Sequence, residues 1–150
     1  MTTESALSRP LVVVGVDGSG TSHEALEWAA RYVTATGGTL QAVTAWHYPV
    51  DYGYAAIPNA DLDLAGWATE ALDTAIGELK SEFPALTVTP RIIEGPPASV
   101  LVEAAKGADL IVVGSRGHGG FAEVLLGSVS NHVVHHAPCP VVVVRHTENA

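Results

Sequence analysis

The stretch LIVVGSRGHGGFAEVLLGSVS, Leu110 to Ser130, decides the fold. It opens on a wholly apolar run, Leu110-Ile111-Val112-Val113. It continues through glycines at 114, 117, 119, 120 and 127, and it closes on hydroxyls at Ser128 and Ser130. An apolar run of this length reads as a strand covered on both faces. A buried strand that ends in a glycine-rich loop and opens into a helix is a common anion site. Glycine lets the backbone approach closely, and successive N–H groups and a helix N-terminus converge on a phosphate. The segment is therefore expected to cradle the phosphates of a nucleotide.

Outward from it, the chain alternates between strands and helices. Leu11 to Val16 is a second continuous apolar run. Asp17 to Ser22 follows as a loop, with Ser22 as N-cap of a helix to Thr36. Gly37-Gly38 ends that helix. Thr39 to Trp46 reads as a strand, His47 to Asp61 as a loop, and Asp63 to Phe83 as a long helix. Thr87 to Glu94 is a strand, Ala98 to Lys106 a helix, Gly127 to His136 the last helix and Val141 to Val144 the last strand. This β-α-β-α-β-α-β-α-β order predicts one α/β domain over 10–146, with polar tails at 1–9 and 147–150. Its five-stranded parallel sheet is covered by four helices, two faces doubly wound. Ligands in such sheets bind beyond the carboxyl ends of the strands, where strand order reverses. Only the first and fourth strands exit into loops built for this, so they are expected to be neighbours there.

Composition narrows the partners. The chain has 150 residues and 47% hydrophobic content, enough for a sizeable core. Seven Lys+Arg against sixteen Asp+Glu leave a net charge of −9, which argues against nucleic-acid binding. Any phosphate must be held by backbone N–H groups and a few side chains, with magnesium as a candidate companion. Cys139 is the only cysteine, so an intrachain disulfide is excluded and a reducing compartment is the default. The N-terminal MTTESALSRP lacks the basic and apolar regions of a signal peptide, and no apolar run approaches a membrane span. The expectation is a cytoplasmic protein.

Three nucleotide motifs compete for the loop. A Walker A motif requires G-x-x-x-x-G-K-[ST], and no Lys occurs in 107–150, so it is excluded. A dinucleotide fingerprint occurs at Gly117-His118-Gly119-Gly120-Phe121-Ala122. It follows the fourth strand, however, and no second βαβ half comes after it. The third motif, G-x2-G-x9-G-[ST], is met by Gly114, Gly117, Gly127 and Ser128.

With this motif, VVVGVDGS near the start and LLGSVSNHVVHHAPCPVVVVR at the end, the sequence resembles the ATP-binding branch of the universal stress protein family. The resemblance implies a Rossmann-like sheet, a homodimer and ATP between the first and fourth strands. It places Asp17, with Gly15 beside it, at the ribose and adenine, and has the backbone of Thr44 contact adenine. It gives the phosphates to Gly114, Ser115, Arg116, Gly117, His118, Gly119 and Gly120, and to Gly127, Ser128, Val129 and Ser130. Both ATP and cAMP carry adenine and ribose, and the motif does not separate them. With Arg116 the one cation in the loop, the expected role is a sensing or regulatory module with slow ATPase activity at most. A nucleotide-activating enzyme on the same fold is the rival reading.

Other candidates carry less. His132, His135 and His136 have metal-like helical spacing, but the carboxylate of an HExxH site is missing; the expected role is a solvated helix end, with no metal. Asp61 and Asp63 suit a helix start. Cys139 reads as a structural thiol. Tyr48, Tyr52 and Tyr54 read as part of a packed loop. Val141 to Val144 forms an apolar strand with nothing after it to cover its edge, and a homodimer is expected to pair there.

Overall fold

The computed structural model describes residues 9–47, 63–115 and 126–145. Five strands, β1 (Leu11–Gly15), β2 (Thr39–Trp46), β3 (Val88–Glu94), β4 (Leu110–Gly114) and β5 (Val141–Val144), alternate with four helices. These are α1 (Gly20–Thr36), α2 (Leu64–Glu82), α3 (Pro97–Ala104) and α4 (Ser128–His136). The sheet is parallel throughout, in the order β3-β2-β1-β4-β5. Strand order reverses between β1 and β4, as expected from their exits.

The continuous apolar runs are explained by burial on both faces. Val12 and Val14 of β1 pack with Leu40, Ala42 and Val112 against Ala25, Leu26, Ala29 and Val33 of α1 and Leu72 and Leu79 of α2. Val13, Val43, Ile111 and Val113 point the other way, toward Val100 and Leu101 of α3 and Val133 of α4. Period-two alternation thus divides one strand between two cores.

Local chemistry sets the helix ends. The Ser19 hydroxyl caps α1, accepting from the Ser22 N–H at 3.3 Å. Gly37 closes it with φ 77°, and the N–H groups of Gly37 and Gly38 both donate to Val33 O. The cap is therefore Ser19, three residues ahead of the expected Ser22. Ser22 is buried; its Oγ accepts from Asp17 N at 3.2 Å and donates to Ser19 O at 3.1 Å. A serine held inside the turn in this way lies within the helix. Asp63 caps α2, accepting from Gly66 N at 3.0 Å. Pro97 stands at the start of α3, where a missing N–H costs nothing. That helix ends at Ala104, earlier than expected.

The two sheet edges differ. Leu40 N donates to Thr87 O, and Gly95 N to Trp46 O. In a parallel ladder this turns residues 88, 90, 92 and 94 outward. Pro90 then removes a donor from the middle of that edge. On the other edge, Ile111 N donates to Pro140 O and Ser115 N to Val144 O. Val142 and Val144 therefore face β4, and the N–H and C=O groups of Val141 and Val143 face outward. Among the described residues β5 offers the unblocked edge.

Candidate functional site

Helix N-termini in a parallel α/β sheet lie at the carboxyl ends of the strands. Here α1, α3 and α4 begin around a cavity of about 100 Å³ beyond β1, β2 and β4. Its apolar walls are Val43 and Ala45 of β2, Val113 of β4, Pro97 and Leu101 of α3, and Val129 of α4. Its polar rim is Asp17, Ser22 and Ser130, with Gly15 and Gly114 in the floor. An apolar slot with a few convergent polar groups is the usual form of a small-molecule site.

Asp17 is exposed at the end of β1. Its Oδ1 accepts from Ser19 N at 2.8 Å, and its own N–H donates to Ser22 Oγ at 3.2 Å. This Asx turn fixes the carboxylate at the rim. Gly15 leaves room that Leu101 uses: a Cβ there would lie 2.8 Å from Leu101 Cδ1.

The base of the glycine loop is fastened from three sides. Ser115 N donates to Val144 O at 2.8 Å, and Ser115 O accepts from Gly127 N at 2.6 Å and from Ser130 Oγ at 2.9 Å. Ser130 is buried and its hydroxyl proton is spent inside the protein. It is thus a clasp for the loop, where the sequence suggests a donor to phosphate. Ser128, by contrast, is exposed. The first intrahelical bond of α4 runs from Asn131 N to Gly127 O. The N–H groups of Ser128, Val129 and Ser130 therefore belong to the open first turn, which attracts anions.

Gly114 has a reason in packing beside the expected one. A Cβ on it would lie 2.6 Å from Thr21 Oγ1 and 2.7 Å from the Thr21 carbonyl carbon. The missing side chain is explained by the packing of α1 against β4, before any phosphate is considered. The contact expected of Thr44 is through its backbone, and its side chain turns away from the slot. Its Oγ1 donates to Val16 O at 2.8 Å, while its neighbours Val43 and Ala45 line the slot. Strand alternation turns Thr44 toward a second, larger cavity of about 530 Å³ between α1 and α2. Trp67, 55% exposed, and Ala71 and Ala75 wall that cavity. Asp17 and Ser22 border both.

The structure therefore brings Gly15, Asp17, Gly114, Val129 and Ser130 together around one slot, with Ser115, Gly127 and Ser128 at its loop base. Arg116, Gly117, His118, Gly119 and Gly120 lie outside the described residues, as do Tyr48, Tyr52, Tyr54 and Asp61. Sequence reasoning missed Pro97, Leu101, Val43, Ala45 and Val113. Their apolar type carries no mark separating a ligand wall from a core. Cys139 is half-buried against the α3–α4 core. Burial, then the Asp109 carboxylate, push its thiol pKa up. Among the described residues no helix is long and apolar enough to cross a membrane.

Comparison with known proteins gives this geometry a family. The model of the Universal stress protein family matches residues 10–145. A universal stress protein of Mycolicibacterium smegmatis is 34% identical over 146 residues, covering 93% of this chain and 49% of that protein. One from Mycobacterium tuberculosis is 36% identical over 135 residues, covering 89% of this chain and 45% of that protein. The chain spans about half the length of the curated relatives it matches. Among solved structures, a universal stress protein in complex with cAMP superimposes with a TM-score of 0.68. It is 30% identical and covers 93% of this chain and 99% of the other. Family match and shared fold agree: the chain belongs to the universal stress protein family.

Proposed function

We propose that this chain binds an adenine nucleotide in the slot between β1 and β4 and acts as a sensing or regulatory module in the cytoplasm. The observation that carries the reading is one juxtaposition. An apolar slot flanked by Asp17 opens onto the first turn of α4. The slot suits the flat base, Asp17 suits ribose hydroxyls, and the N–H groups of Ser128 to Ser130 suit phosphate. ATP is the first ligand, with Arg116, Gly117, His118, Gly119 and Gly120 reaching its phosphates and magnesium accompanying them. The cAMP complex of the 30%-identical relative supports cAMP as a second reading for the same slot. Rapid hydrolysis is not part of the proposal, because the motif supplies one cation and no lysine. Titration calorimetry with ATP, ADP, AMP and cAMP, with and without magnesium, tests it. Saturable binding of ATP or cAMP is expected; no heat with any of the four at millimolar concentration would end the proposal.

The same reading includes a homodimer through β5. Val141 and Val143 present outward donors and acceptors, whereas Pro90 interrupts the β3 edge. A two-fold axis pairs one β5 antiparallel with its copy in a closed contact.

A further inference from the structure

We propose that His132 and His136 form a two-ligand site for a divalent first-row transition cation, with Cu2+ ahead of Ni2+ and Zn2+. Both lie on α4, four residues apart and so on one face. Both are exposed, and their ring centres stand 4.3 Å apart with the planes tilted by 36°. Two imidazole nitrogens bonded to one ion at about 2.0–2.1 Å lie about 3 Å from each other. Rings already side by side need only a small side-chain rotation to reach that. The helix beneath them is held in place, since Val133 between them is fully buried.

His135 takes no part. Its Nδ1 lies 2.9 Å from Asn131 O, a carbonyl that accepts from it, and its ring centre is 6.5 Å from that of His136. No group of three potential ligands forms among the described residues, so water completes the coordination. Imidazole nitrogen selects copper, nickel and zinc over magnesium and calcium, and affinity among them peaks at copper. The position favours a cation as well, because the C-terminal end of a helix carries about half a negative charge. A bound ion would clamp the second half of the helix whose first turn faces the slot, about 8 Å away along the axis at about 1.5 Å per residue.

The test is a Cu2+ titration of the tag-free full chain, followed by electron paramagnetic resonance. One tight equivalent with hyperfine structure from two imidazole nitrogens is expected. His132→Ala and His136→Ala should each weaken it by at least about tenfold, since even outer-shell changes cost about 10–100-fold. His135→Ala should bind as wild type does. All three positions are exposed, and circular dichroism checks that each variant folds. Unchanged affinity in both His132→Ala and His136→Ala, or an equal loss in His135→Ala, would overturn the proposal.

Discussion

Replacing Gly114 by alanine should cost stability before it affects any ligand. The added Cβ would stand 2.6 Å from Thr21 Oγ1, 2.7 Å from Thr21 C and 2.8 Å from Thr21 O. Two of these are backbone atoms in the first turn of α1, and Thr21 is 7% exposed. That turn is tied by the bonds from His23 N to Ser19 O and from Ser22 N to Ser19 Oγ. Relief therefore requires α1 to move off β4. Overpacking costs about 1–3 kcal/mol, and a rigid neighbour puts Gly114→Ala at the upper end. Gly15→Ala is the internal control. Its new Cβ would meet Leu101 Cδ1 at 2.8 Å and Cδ2 at 3.1 Å, the movable ends of a side chain, so about 1 kcal/mol is expected. Urea unfolding separates the two. With m of about 2 kcal/mol/M, Gly114→Ala should lower the midpoint by about 1–1.5 M and Gly15→Ala by about 0.5 M. A Gly114→Ala midpoint equal to wild type, or a larger loss in Gly15→Ala, would refute the packing argument.

Asp17→Asn keeps an acceptor for Ser19 N but removes the charge. It should weaken ATP and cAMP alike by about tenfold or more, as a charge-assisted bond is worth about 1.5–3 kcal/mol; unchanged calorimetric constants would place the ribose elsewhere. Val143→Pro deletes an outward donor of β5 and should yield a folded monomer by sedimentation. Val142→Pro deletes a donor to β4 and should unfold the strand, and the reverse pattern would remove β5 from the interface. The Cys139 thiol, raised by burial and then by Asp109, holds its proton more tightly folded than unfolded. The stability this contributes is present below the ordinary thiol range, about 8.5, and is lost as pH rises through the raised folded value. Ellman's reagent should therefore react more slowly with the folded protein than with free cysteine at about pH 8.5. Asp109→Asn, which keeps an acceptor for Leu11 N, should speed that reaction; no acceleration would acquit Asp109.

The strands and helices were legible because burial on two faces leaves long apolar runs, and glycine, proline and serine punctuate them. That β1 and β4 are neighbours followed from their exits. Four details were not legible, and each depends on tertiary contact. Ser19 and Ser22 are equally good caps by type, and only the burial of Ser22 under Asp17 decides between them. Val43, Thr44 and Ala45 all stand at the end of β2, and only the direction of the pleat tells that Val43 and Ala45 wall the slot while the side chain of Thr44 turns away. Gly114 looks like a phosphate glycine in sequence, yet Thr21, ninety-three positions earlier, occupies the space a side chain would need. Pro97 and Leu101 wall the slot from α3, and nothing in an apolar helix face announces that.

Backbone amide mapping by NMR, with ATP or cAMP titrated into the 15N-labelled chain, tests the central claim most directly. Binding in the slot predicts saturable shifts at Gly15, Asp17, Ala45, Gly114, Val129 and Ser130, with Ala71 and Ala75 of α2 unmoved. Shifts confined to Trp67, Ala71 and Ala75 would move the ligand to the larger cavity between α1 and α2. That result, or a spectrum that does not change at all, would contradict the account.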